Sequence, residues 1–272
     1  MPELPEVEAV RRRLQPVMRG ARIDRVVLRR ANLRQPFPVD FARRLEGRRI
    51  RSVDRRGKYL LVVLDSGETL LMHLGMSGSF RIDRAPKRRV SSDRHDHVIL
   101  ALSNGTTVTF NDPRRFGLMD VIGRGALVEH RAFEAMGPEP LSSSFDAATL
   151  AAACAGKRVV LKVALLDQRV VAGLGNIYAS EALHLAHLSP LRRSSTIATA
   201  AGRPRAHAVR LAAAVKGVLR AAIDRKARRD RASRFRVYDR DGEPCPTRGC
   251  GGTIRRISQA GRSTFYCPIC QR

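Results

Sequence analysis

After Pro5 the apolar residues Val7, Val10, Leu14 and Met18 recur at helical spacing, with Arg11, Arg12 and Arg13 largely off that stripe. The chain therefore opens into an amphipathic helix. A terminus that runs straight into a packed helix has little room to fray. From about residue 22 the period shortens to that of strands. The stretch YLLVVLDSGETLLMHL reads as one hairpin and HVILALSNGTTVTF as another, turned by Asn104-Gly105. The first half is thus predicted to be an antiparallel β-sandwich or barrel carrying one leading helix. Gly, Pro and Ser accumulate from Met136 to Asp146, where the alternation stops and Ala-rich helical sequence begins. The longest helix is predicted from about Pro204 to Lys226, with Leu211, Val215, Val218 and Ala222 on one face. From roughly Val237 the chain is poor in apolar residues and rich in cysteine, so it needs a staple to fold. No internal repeat is visible. These shifts predict an α+β multidomain protein divided at 1–135, 136–236 and 237–272.

Charge narrows the function. Lys and Arg number 51 against 25 Asp and Glu, a balance of +26, which points to a polyanionic partner. Nucleic acid leads; a membrane surface is the rival, but the sequence has no run of 18 or more apolar residues and no lipidation signal. The N-terminus does not read as a secretory leader, so a cytoplasmic protein is expected, nucleoid-associated if its partner is DNA, and a monomer, since no stretch reads as an oligomer seam. Residues 220–236 hold eight basic and two acidic residues, either a solvated face or a DNA-contacting or regulatory segment.

Four of the five cysteines, Cys245, Cys250, Cys267 and Cys270, fall in the last 28 residues, in two close pairs. In a cytosolic chain of this length that clustering favours a metal over disulfides, and four thiolates suit one tetrahedral Zn²⁺. The intervening TIRRISQAGRSTFY reads as the hairpin of a zinc ribbon. Zinc held by four protein ligands has no open position, so its role is structural.

Other motifs leave two readings each. Gly173, Gly175 and Asn176 open a helix, which is either simply capped or a phosphate site built on free N–H groups. Met76 of HLGMSGS and Arg114 and Phe116 of NDPRRFG follow predicted strands. The two apolar side chains are either core or a wedge that enters a base stack. Lys58 stands just before a strand, and a lone lysine is most simply a solvated charge. Arg262 lies at the ribbon's turn, a residue to press into DNA or one more phosphate contact. Pro2 is either a helix lead-in or, once Met1 is removed, a nucleophile. A terminal amine titrates near 7.7 to 8.0 against about 10.4 for lysine, so far more of it is neutral at physiological pH. A secondary amine attacking a sugar C1′ gives an iminium that keeps its positive charge, and Glu3 beside it could supply a proton.

MPELPEVE, RGKYL, HLGMSGS, NDPRRFG, LLDQRVVAGLGNIYASEAL and the tail DGEPC…RSTFYCPICQR together resemble the bacterial formamidopyrimidine-DNA glycosylase family in order, spacing and wording, over nearly the whole chain. The resemblance implies a helix–two-turn–helix in the second domain and a bifunctional glycosylase and abasic-site lyase of base-excision repair. It would act on oxidised purines in double-stranded DNA through a proline Schiff base and β,δ-elimination. It places the Schiff base on Pro2, proton donation on Glu3, a part in β-elimination on Lys58 and one in δ-elimination on Arg262. Met76, Arg114 and Phe116 match the void-filling trio, and His95, Arg158, Lys162 and Asn176 match DNA-backbone contacts. Two alternatives remain: an endonuclease VIII-type enzyme for oxidised pyrimidines, against which Leu4 argues, and a damage-binding protein without catalysis, against which Pro2, Glu3 and Lys58 argue.

The sequence departs from the family pattern twice. CPTRGC puts four residues between Cys245 and Cys250 where Cys-x-x-Cys is usual. Between the long helix and VYDRDGEPC only RKARRDRASRFR stands where the family carries a Gly- and Thr-rich loop over everted 8-oxoguanine.

Overall fold

The structure, a computed structural model, describes residues 1–84, 93–228 and 235–272. Six residues of the arginine-rich stretch, 229–234, therefore lie outside the described residues. Backbone contacts divide the chain into two units, Met1–Pro2 with Glu6–Glu134 and Glu3–Pro5 with Ala135–Arg272.

In the first unit, the predicted leading helix is α1 (Leu4–Met18). Pro5 falls in its first turn, where a missing N–H costs nothing. Two four-stranded antiparallel sheets follow, with a short helix α2 (Phe41–Leu45) between their first two strands in the chain. One runs β1 (Ile23–Leu28), β6 (Asp96–Leu102), β7 (Thr106–Asn111), β5 (Ser79–Arg84); the other runs β2 (Ile50–Arg56), β3 (Tyr59–Leu64), β4 (Thr69–His73), β8 (Leu118–Ile122). Both predicted hairpins are present, β3–β4 and β6–β7. Alternate residues of both sheets, such as Val53, Leu60, Leu70, Val98, Leu100 and Val108, bury together with Leu14, Val17 and Met18 of α1 in one core. A sandwich, not a barrel, is the outcome. Central β3 and β4 are buried on both faces, because Leu61 and Leu71 pack under Leu127, Ala132 and Phe133 of the segment after β8. Their near-continuous apolar sequence reflects that.

The second unit begins with α3 (Ala147–Cys154), whose first turn is capped by Asp146 accepting from the Thr149 N–H at 2.8 Å. α4 (Leu161–Leu166), α5 (Asn176–Leu185) and α6 (Ala206–Ala227) enclose a core that includes Leu165, Tyr178, Leu183, Leu211, Val215 and Leu219. The cysteine segment forms the hairpin β9 (Arg255–Gln259) and β10 (Arg262–Tyr266) over a small core of Val237, Ile254, Phe265 and Cys267. It is grouped with the helices because Gln271 donates to the Leu188 carbonyl at 3.0 Å and the Ser189 N–H donates to the Arg272 carbonyl at 3.1 Å. Those bonds explain why backbone contacts give two units where composition suggests three.

Candidate active site

Residues 3–5 are fixed within the second unit. Glu3 is 2% exposed, and its carboxylate accepts from the N–H groups of Ile177 (2.8 Å) and Tyr178 (3.3 Å), in the first turn of α5. The next residue's amide, Leu4 N–H, donates to the Gly173 carbonyl at 3.1 Å. Gly175, the residue preceding α5, allows this approach, since a Cβ there would fall 2.4 Å from the Glu3 carboxyl carbon. The acidic cap satisfies orphan donors and complements the helix dipole. Two of the amides read as a phosphate site thus serve Glu3 instead.

Beside it, Lys162 on α4 is fully buried. Its ammonium has three protons and gives them to three acceptors: Asn176 Oδ1 (2.7 Å), the Ser263 carbonyl (3.0 Å) and Thr264 Oγ1 (2.6 Å). Asn176 donates to the same Ser263 carbonyl at 2.9 Å. Burial pushes Lys162 down to about 8, with the positive charge of Arg262 adding to it and Glu3 opposing. As described, this lysine has no face left for a DNA phosphate; it joins α4, the start of α5 and β10. Arg262 itself is exposed, the first residue of β10, after the two-residue turn Ala260-Gly261 in which both φ values are positive (47° and 71°). Arg158, between α3 and α4, is exposed as well.

In the first unit Lys58 stands one residue before β3 and is only 7% exposed, so the solvated-charge reading fails. Nearby His73 is held down to about 4 by burial and by the positive charges of Lys58 and Arg34. Its neutral ring accepts the Gly75 N–H at Nδ1, 3.0 Å away. The core reading of Met76 and Phe116 also fails, since they are 44% and 42% exposed. Arg114 stacks its guanidinium 4.7 Å from the Phe116 ring centroid. His95 is partly exposed, its N–H donating to Asp93 Oδ1 at 2.9 Å.

The four thiols Cys245, Cys250, Cys267 and Cys270 lie within 4.8 Å of one another. Zn–S bonds of about 2.3 Å in a tetrahedron imply S···S separations near 3.8 Å. Cys245–Cys270 at 3.7 Å and Cys250–Cys267 at 3.5 Å fit that. The wider CPTRGC loop does not spoil the site: its Thr247 hydroxyl lies 3.8 Å from Cys270 Sγ and 3.3 Å from His184 Nε2.

Three acceptors, one half-buried and two buried, were not singled out by sequence. Gln168 accepts the Gly173 N–H (2.8 Å) and donates to the Leu174 carbonyl (2.9 Å), shaping the turn that leads into α5. Glu181 accepts three consecutive amides, Arg236, Val237 and Tyr238. Asp112 is fully buried beneath the Arg114–Phe116 loop. Only Asp112 left a visible trace, the Asp-Pro pair that starts a turn.

Three family models match the chain: the formamidopyrimidine-DNA glycosylase N-terminal domain over residues 1–119, the H2TH domain of the same enzyme over 136–233, and a zinc finger found in FPG and IleRS over 242–272. A curated formamidopyrimidine-DNA glycosylase of Bradyrhizobium sp. is 54% identical over 293 aligned positions, covering 100% of both chains. The crystal structure of the MutM (Fpg) protein from Thermus thermophilus superposes with a TM-score of 0.81 at 38% identity, covering 99% of this chain and 98% of that one. The Lactococcus lactis enzyme in complex with Fapy-dG-containing DNA superposes with a TM-score of 0.85 at 28% identity, covering 99% of this chain and 100% of that one.

Proposed function

The chain belongs to the formamidopyrimidine-DNA glycosylase family, and from that premise we propose that Pro2, freed by removal of Met1, is the nucleophile of a bifunctional glycosylase and abasic-site lyase. The protein is a DNA glycosylase of base-excision repair acting on oxidised purines in damaged double-stranded DNA, with one structural zinc.

The Pro2 nitrogen attacks C1′ of the damaged nucleoside, and the electrons of the glycosidic bond leave with the base. Glu3 supplies the proton that the leaving group or the opening sugar ring takes up. The attached nitrogen gives up its proton and its lone pair then displaces O4′, breaking the C1′–O4′ bond and opening the ring; because the amine is secondary, the resulting iminium has no N–H left to lose. It draws electrons from C2′, where loss of a proton expels the 3′ phosphate; a second elimination expels the 5′ phosphate. Lys58 assists the first elimination and Arg262 the second. Met76, Arg114 and Phe116 fill the space the base leaves, and His95, Arg158 and Asn176 touch the backbone. Lys162 acts by positioning Asn176 and the strand of Arg262. Functionally the chain divides at 1–135, 136–236 and 237–272, and it works on DNA in the cytoplasm, at the nucleoid; among the described residues no helix is long and apolar enough to cross a membrane.

One observation carries the reading: Glu3 is buried and hydrogen-bonded to α5, so the residue next to Pro2 is built in place. Borohydride reduction of the protein on an abasic duplex is expected to trap a covalent complex whose modified peptide carries Pro2. An uncleaved residue before Pro2 should cut trapping by on the order of 10³-fold or more. An adduct that maps to Lys58, or full activity with a blocked terminus, would refute Pro2 as nucleophile.

A further inference from the structure

The three exposed tips Met76, Arg114 and Phe116 stand on two loops, residues 74–78 and 112–117, and both loops converge on one buried carboxylate. Asp112 Oδ1 accepts the Ser77 hydroxyl at 2.5 Å, and Oδ2 accepts the Gly117 N–H at 2.7 Å. Ser77 Oγ in turn accepts the Arg114 N–H at 3.1 Å, so its hydrogen and a lone pair both serve the junction. The backbone of Asp112 is engaged at both ends as well. Its N–H donates to the His95 carbonyl at 3.0 Å, and its carbonyl accepts the Arg115 N–H at 3.2 Å and lies 2.9 Å from His97 Nε2. Every polar atom of this fully buried aspartate is thus engaged, and both carboxylate oxygens serve residues that flank the tips, Ser77 and Gly117.

The loops are also tightly packed and strained. Gly75 (φ +61°) approaches so closely that a Cβ would stand 2.3 Å from the Phe116 carbonyl carbon. Arg115, between Arg114 and Phe116, is held at φ 56°, a left-handed conformation that a non-glycine residue keeps only where its surroundings enforce it. Strain of this kind persists when the hydrogen bonds around it leave no relaxed alternative.

We propose that Asp112 and Ser77 form a latch that holds Met76, Arg114 and Phe116 as one rigid wedge, making them positioning residues for opening the duplex, with no part in the covalent chemistry. The inference rests on the wedge role proposed above for the three tips. A wedge acts only if its side chains enter the stack together, and a displacement of about 1 Å in positioned groups can cost on the order of 100-fold.

Ser77→Ala removes the hydroxyl that joins the loops, and Asp112→Asn puts an N–H₂ in place of one of the two acceptors, against either the Gly117 N–H or the Ser77 hydroxyl. Met76→Ala tests the wedge itself. Each purified full-length variant is assayed two ways: single-turnover excision of formamidopyrimidine from a duplex, with 2-aminopurine opposite the lesion reporting stack opening, and borohydride trapping on a single-stranded abasic oligonucleotide, which needs no duplex opening. All three variants are expected to slow excision and the fluorescence change by about 10- to 100-fold, while in the two latch variants, Ser77→Ala and Asp112→Asn, single-strand trapping stays within twofold of wild type. If Met76→Ala is slow on the duplex but Ser77→Ala and Asp112→Asn match wild type, the latch is refuted and the wedge stands. If single-strand trapping falls as much as duplex excision in the latch variants, the defect is general and the latch is again refuted. Wild-type duplex rates for Met76→Ala would overturn the wedge role, and the latch with it.

Discussion

Two regions of the molecule spend buried hydrogen bonds in opposite ways. Under the loops at 74–78 and 112–117, a buried aspartate supports side chains that remain exposed, with Met76 44% and Phe116 42% accessible. In the second unit a buried lysine satisfies acceptors on α4's neighbours and keeps them inside: Lys162, fully buried, holds Asn176, Ser263 and Thr264, while Glu3 closes the first turn of α5. The first arrangement leaves its side chains open to solvent. The second ties buried groups to one another, and removing a member leaves polar atoms buried without partners. Substitutions in the buried cluster should therefore cost more than substitutions at the exposed tips.

The hardest test of that contrast is Glu3→Gln. The side-chain carbonyl can still accept one amide of α5, so the fold should survive with about 1 kcal/mol lost at the helix cap. Base excision should nevertheless fall by roughly 10²- to 10⁴-fold with loss of the proton donor. Trapping on a preformed abasic site, where no base has to leave, should fall much less. Single-turnover rates on the two substrates check this, and excision within threefold of wild type would remove Glu3 from the chemistry.

Lys162→Met comes next. It strips the donor from three acceptors, at a cost of roughly 2–4 kcal/mol, and should impair strand cleavage more than base release because β10 carries Arg262. The pH dependence has a defined sign. Lys162 releases its proton near 8 in the folded protein, and an ordinary lysine does so near 10.4. Between those values the unfolded chain binds more protons, so this residue's contribution to stability rises with pH across that window; below about 8 both states are charged and the burial penalty is fully felt. Melting temperatures at pH 7.5 and 9.5 should show wild type gaining relative to Lys162→Met. A constant difference would mean that Lys162 titrates normally.

Much of this was legible in the sequence where the signal is periodic or chemical. The β3–β4 and β6–β7 hairpins, α1, α6 and the four cysteines were predicted because alternation, helical spacing and paired thiols are local patterns. What stayed hidden is pairing across long stretches of chain. Ser77 and Asp112 are 35 residues apart, and Lys162 meets the Ser263 carbonyl across 101. Neither pair leaves a spacing to read. For the same reason the family resemblance makes Lys162 a DNA-backbone contact while its three protons are taken inside the fold, and the start of α5 offers a phosphate-site reading although two of its N–H groups are taken by Glu3.

The smallest effect is expected at the edge of the buried region, above the base. The aligned length of 293 positions against 272 residues leaves at least 21 positions of the Bradyrhizobium alignment without a counterpart here. The family resemblance puts a Gly- and Thr-rich loop where this chain has residues 225–236, from the last turn of α6 onward. The chain resumes at a fixed point, because Glu181 accepts the amides of Arg236, Val237 and Tyr238. A shorter connection between fixed ends can cover less of an everted base, while the groups that break bonds to the sugar are untouched. Formamidopyrimidine excision and abasic-site cleavage should thus remain strong while 8-oxoguanine, the base that the resemblance sets beneath the longer loop, falls behind by about 10-fold, roughly one lost hydrogen bond to the base. Single-turnover rates on matched duplexes, measured beside a longer relative, decide the point. Excision of 8-oxoguanine as fast as the relative's would mean that the base is recognised from within the buried cluster and not from above it.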